Sequence, residues 1–129
     1  MLQDCLLGDG RDLIDQVLDR WSLSILAVLY AGPLRFSALR REIPDITQKS
    51  LAQALRRLER NGIIDRKVLD TRPIAVEYSI TALGRSLEGP LEVLARWATD
   101  NISQVRRDRA RYDASDCPAM PPVDAVATN

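Results

Sequence analysis

Apolar positions recur at helical spacing between residues 12 and 30: Leu13, Ile14, Val17, Leu18, Trp21, Ile25, Leu26 and Leu29. That period lines one side of an α-helix. The polar pair Asp19-Arg20 inside the run predicts a division into two helices, and Gly32-Pro33 ends it. Residues 36–43 make a shorter helical pattern with Phe36, Leu39 and Ile43 inward, and Pro44-Asp45 is the turn that follows. The Thr47 hydroxyl can accept from the free amides of a first helical turn, so a helix is expected over residues 48–60. Asn61-Gly62 is its C-terminal stop.

The period then shortens. Residues 63–69 and 75–80 are rich in β-branched side chains and are expected to be strands, joined by the turn Asp70-Thr71-Arg72-Pro73. Thr81 caps a further helix over about 82–88, and Gly89-Pro90 kinks or restarts it. Leu91, Leu94, Ala95 and Trp97 continue an apolar face towards Ile102 and Val105. Residues 113–129 are rich in Asp, Ala and Pro and are expected to be a disordered tail. Residues 1–10 are expected to be an arm, leaving 11–112 as the folded domain. The predicted fold is mainly α with a small β-hairpin. A short helix, a tight turn, a capped helix and a hairpin in that order make a winged helix-turn-helix.

The absence of histidine removes His-based metal sites, Ser–His triads and Cys–His pairs. No glycine-rich phosphate loop is present, so neither a cofactor nor an enzymatic activity is expected. No apolar run approaches the roughly 20 residues of a membrane span. The N-terminal residues Asp4, Asp9 and Asp12 are unlike a signal or transit peptide, and the expected compartment is the cytoplasm.

Charge changes the picture more than composition does. The 18 basic and 18 acidic side chains cancel over the whole chain. They do not cancel locally: residues 35–67 hold nine basic groups and four acidic ones, while the segments on either side are net negative. In the helix over 48–60, Leu51, Ala54, Leu55 and Leu58 share one face. At about 100° per residue, Lys49, Gln53, Arg56 and Arg60 fall together opposite them, with Arg57 at the flank. Lys or Arg suits guanine O6 and N7, and Gln suits adenine N6 and N7. Gln48, Lys49 and Gln53 are therefore the candidates for base contact and Arg56 and Arg60 for phosphates, while the flanking Arg57 is a DNA-contact candidate able to reach either. Arg40 and Thr47 are placed to touch the backbone, and Arg66, Lys67 and Arg72 belong to the wing. The expected partner is double-stranded DNA. A basic helix face is also commonly just a solvated face. The helix-turn-helix order and the arginine at the wing tip set this one apart.

The same residues resemble the HxlR-type transcriptional regulators, a branch of the MarR-like winged-helix proteins. The resemblance rests on Arg20-Trp21, on LRFSALRREIPDITQKSLAQALRRLERNGIIDR from Leu34 to Arg66, on VEYSITALGRSL from Val76 to Leu87, and on Trp97. It covers about residues 5 to 100. It implies a sequence-specific regulator that binds a two-half-site operator as a homodimer joined through its N- and C-terminal helices. The interface would then use Leu13, Val17, Leu91, Leu94 and Trp97. Core packing is the competing role for Trp21 and Trp97.

Cys5 lies where many members carry an N-terminal cysteine, which in part of the family senses oxidants or electrophiles. Two features depart from that pattern. Leu6 stands where proline is common, and the spacer to Trp21 holds Asp9, Asp12, Asp15 and Asp19, whose charge opposes a second negative charge nearby. Cys117 falls in the expected tail, and an intersubunit pairing with Cys5 is a hypothesis alongside two incidental thiols. Two other functions stay open: a winged-helix module that binds protein, and a regulator answering a small ligand with no redox role.

Overall fold

A computed structural model describes residues 1–115. The chain divides into two compact units, Met1–Glu88 and Gly89–Asn129. In the first, α1 (Leu2–Leu6) and α2 (Gly10–Val17) precede α3 (Arg20–Leu29). Then come β1 (Leu34–Arg35), α4 (Phe36–Glu42), α5 (Gln48–Arg60), β2 (Ile64–Leu69), β3 (Ala75–Ile80) and α6 (Ala82–Ser86). Over the described residues the second unit is the helix α7 (Glu88–Ser115).

The break between α2 and α3 falls at the polar pair. Asp19 is extended there and its carboxylate accepts from the Ser22 amide at 3.3 Å, which caps α3. Ile25, Leu26 and Leu29 of α3 are almost fully buried where α3 packs on α5 and α4, in a core that also holds Leu39, Ile43, Ile46, Leu51, Ala54, Leu55 and Leu58. Each such aliphatic side chain contributes about 1.5–3 kcal/mol on leaving water. Val17, expected at an intersubunit face, is 6% exposed and belongs to this core. The reason is that α2 packs on both α3 and α5, which turns its last residue inward.

The expected hairpin is part of a three-stranded antiparallel sheet of order β1-β3-β2. Leu34 and Arg35 pair with Tyr78 and Glu77, and Ile64 to Leu69 pair with Ile80 to Ala75. A two-residue strand has no readable period, which is why the third strand is invisible in the sequence. The first residues, expected as an arm, contain the one-turn helix α1. At the other end α7 begins at Glu88 with Gly89-Pro90 in its first turn, and it includes Asp113, Ala114 and Ser115, since no proline or glycine follows between Pro90 and Pro118. The rest of the expected tail, Cys117 included, lies outside the described residues.

Two glycines hold the joint between α5 and the sheet. Gly62 has φ +76°, and the amides of Gly62 and Ile63 return to the carbonyls of Glu59 and Leu58 at 3.0 Å each. This 5→2 and 6→1 pairing closes the helix and needs a left-handed residue. Gly62→Ala is expected to lower stability by about 1 kcal/mol, read from chemical denaturation. An unchanged midpoint would contradict the closure. At Gly84 a Cβ would collide with the Ile63 carbonyl oxygen. Thr81 secures that contact: its hydroxyl donates to the Gly62 carbonyl at 2.6 Å and accepts from the Gly84 amide at 3.0 Å.

Tyr30 joins α3 to the same place, its hydroxyl donating to the Gly84 carbonyl at 2.9 Å. Burial, then the nearby Glu88, raise its pKa above the ordinary 10.0, with Arg85 opposing. The folded value exceeds the unfolded one, so the associated stability is complete below pH 10.0 and fades as pH rises beyond it. Stability above that pH should therefore fall less steeply in Tyr30→Phe than in the parent. Parallel curves would exclude Tyr30 as the source.

Candidate nucleic-acid interface

The turn before α5 sets the site. Asp45 takes φ +67°, a left-handed conformation that aspartate tolerates better than most residues, and the chain reverses there. Ile43 and Ile46 flank it and are buried, so the turn is pinned from inside. Thr47 is extended, and its hydroxyl oxygen accepts from the Ser50 amide at 3.0 Å. Helix α5 begins at Gln48, as its capping residue predicts.

The two faces of α5 separate cleanly. Leu51, Ala54, Leu55 and Leu58 are at most 1% exposed. Gln48, Lys49, Gln53, Arg56 and Arg60 are exposed. Arg56 folds back to its own helix, its Nε donating to the Ala52 carbonyl at 3.4 Å. Arg40 is exposed on the last turn of α4. Arg66 and Lys67 are exposed on β2, and Arg72 is exposed in the loop between β2 and β3. Glu77 sits in register between Arg35 and Lys67. The exposed donors can meet phosphate oxygens and base edges, and the N-terminal residues of α5 are those that reach bases in a helix-turn-helix.

Arg57 differs from its neighbours. Its Nη2 donates to Asp19 Oδ2 at 3.0 Å, the same oxygen that caps α3. One helical turn later, Asn61 Nδ2 donates to Gln16 Oε1 at 2.7 Å. Both contacts tie the far half of α5 to the α2–α3 junction. The Asp19 cap had a local signal, an aspartate three residues before Ser22. Its pairing with a residue 38 positions away had none.

The other candidates lie apart from α5. Cys5 is exposed on α1. Leu13 on α2 is 50% exposed, and on α7 Leu94 is 47% and Trp97 60% exposed, with Leu91 half-buried. Trp21 is half-buried beneath the Arg20 guanidinium, 4.5 Å from its ring centroid. Among the described residues no cluster of acidic, Cys or His side chains could hold a metal ion. No described helix is long and apolar enough to cross a membrane.

Residues 16–106 match the family model of the HxlR-like helix-turn-helix. The chain belongs to the HxlR-like helix-turn-helix family. It is 45% identical over 89 residues to the HTH-type transcriptional regulator YtcD of Bacillus subtilis (strain 168), spanning 69% of this chain and 71% of that one. The structure of the transcriptional regulator ytfH from Salmonella typhimurium superposes with a TM-score of 0.71 at 38% identity, over 78% of this chain and 90% of that one. The redox regulator HypR in its reduced form gives 0.72 at 32% identity, over 78% and 99%. The fold is a winged helix-turn-helix, and this member of the HxlR-like family is a DNA-binding transcriptional regulator rather than an enzyme.

Proposed function

We propose that the protein is a sequence-specific regulator that binds an operator of two half-sites as a homodimer. The observation that carries this reading is the exposed row Lys49, Gln53, Arg56 and Arg60 on a helix whose opposite face is buried. Gln48, Lys49 and Gln53 read base edges in the major groove. Arg56 and Arg60 neutralise phosphates, helped by Arg40 and Thr47 and, on the wing, by Arg66, Lys67 and Arg72. A protein-binding module would instead present apolar or aromatic anchors on that face. Dimerisation is supported by large apolar side chains left in water, Leu13, Val93, Leu94 and Trp97, each between 47% and 61% exposed. Leu91 joins them, and Val17, being core, does not.

Binding to the chain's own upstream intergenic DNA, compared with random duplex over a salt series, tests this reading. Tight, selective, salt-dependent binding is expected, and absence of selectivity at low salt would refute it. Arg56→Ala and Arg60→Ala should each flatten the slope of log K against log salt by about 0.9, with equal losses on operator and random DNA. A slope that stays at the parent value would remove that residue from the phosphate contacts.

A thiol response through Cys5 is favoured by its exposure as a free cysteine and by the likeness to HypR, a redox regulator. The effector in this reading is an oxidant or electrophile. Diamide should change operator binding of the parent and leave Cys5→Ser unaffected. Equal behaviour of the two would leave a regulator with another signal. Whether Cys117 pairs with Cys5 would show in the same samples on non-reducing gels.

A further inference from the structure

We infer that Arg57 is a positioning residue, which with Asp19, Gln16 and Asn61 fixes the rotational setting of α5. The inference rests on the reading of α5 as the helix that meets base edges. Burial of Leu51, Ala54, Leu55 and Leu58 holds α5 onto the core, but apolar contact is not directional and leaves a helix some freedom to roll about its axis. Directional contacts remove that freedom. Two of them act on this helix one turn apart. Arg57 Nη2 reaches Asp19 Oδ2 at 3.0 Å, and Asn61 Nδ2 reaches Gln16 Oε1 at 2.7 Å. Asp19 is itself fixed, because the same oxygen accepts from the Ser22 amide at 3.3 Å and the Ser22 hydroxyl at 3.4 Å. Ser22 is fully buried, so the half-exposed Asp19 is tied to the core through it.

Arg57 lies at the edge of the exposed row on α5, and its charge is already engaged by a carboxylate. The consequence for DNA differs by contact type. Long arginine side chains follow a phosphate through a small roll of the helix. A hydrogen bond to a base edge weakens steeply when its angle is lost. Loosening the two ties should therefore reduce discrimination between sequences more than it reduces affinity for DNA as such. It also links α2, the helix that follows the Cys5 segment, to the setting of α5.

The test compares Arg57→Met, Asp19→Asn, Gln16→Ala and the Arg57→Met/Asp19→Asn pair, with operator and random duplexes over a salt series. Asparagine keeps the α3 cap while removing the charge, and Gln16→Ala touches neither the cap nor a buried side chain. Each single variant is expected to lower the operator-to-random affinity ratio by about 1.4-fold to fivefold, the range of a partly exposed polar contact. The salt slope should stay at the parent value, and the pair should be no worse than either single change. If Arg57→Met flattens the slope by about 0.9 while Asp19→Asn has no effect, Arg57 is a phosphate contact and the inference fails. Unchanged ratios in all variants overturn it as well, reducing the ties to surface packing. If Arg57→Met does not fold by circular dichroism, Asp19→Asn and Gln16→Ala decide the matter by the same ratio. A parent with no selectivity refutes the proposed function itself, and so is distinguishable from failure of the positioning role.

Discussion

Leu55→Ala is expected to destabilise the folded chain by about 2–5 kcal/mol, through lost burial and the cavity left behind. Leu55 is 1% exposed, in the middle of the α5 stripe, between Leu51 at 0% and Leu58 at 1%. α5 is the element that α2, α3 and β2 all pack against, so a void under it cannot be closed by shifting one neighbour. A small domain has about 5–15 kcal/mol in total. The variant should therefore unfold at markedly lower denaturant, and lose operator binding at temperatures where the parent still binds. Arg56→Ala, on the opposite and exposed face of α5, should stay within about 0.5 kcal/mol of the parent. A loss below about 1 kcal/mol for Leu55→Ala would mean that α5 is not seated as described.

The second large effect concerns recognition. Gln53→Ala is expected to cost about 1–3 kcal/mol on the operator, roughly fivefold to 150-fold, and much less on random duplex. Gln53 is exposed in the middle of the row formed with Lys49, Arg56 and Arg60. Its amide can donate to and accept from one base at once, which an arginine cannot do. Preference at a single base pair in each half-site should relax while the salt slope holds. Equal losses on operator and random DNA would refute the base-reading role of Gln53.

Much of this fold is legible in the chain because its signals are local. Thr47 and Gly62 bracket α5, the leucine period marks its inner face, and Asn61-Gly62 stops it where the left-handed closure occurs. The two long strands are readable from their β-branched residues, and the caps at Thr47 and Thr81 mark the starts of α5 and α6. Strand β1 is not legible, since two residues carry no period and its pairing partner Tyr78 lies 44 positions on. Val17 illustrates a different limit. An apolar residue on an N-terminal helix can serve a core or an interface, and periodicity treats the two alike. The packing of α2 against α3 and α5 decided for the core.

The candidate site divides in the same way. Helical geometry alone brought Lys49, Gln53, Arg56 and Arg60 to one face, and the charge excess of residues 35–67 marked that face as suited to a polyanion. What the side chains are already bound to cannot be read from spacing. Arg57 has the same chemistry as Arg56 in the sequence, yet its guanidinium is held by Asp19, 38 residues earlier. The sequence by itself determined the elements, their order and the composition of the exposed face, because capping, periodicity and charge act over a few residues. Only the tertiary structure decided which arginine is paired with a carboxylate and how α5 is tied to the helices before it, because those hydrogen bonds join residues that are distant along the chain.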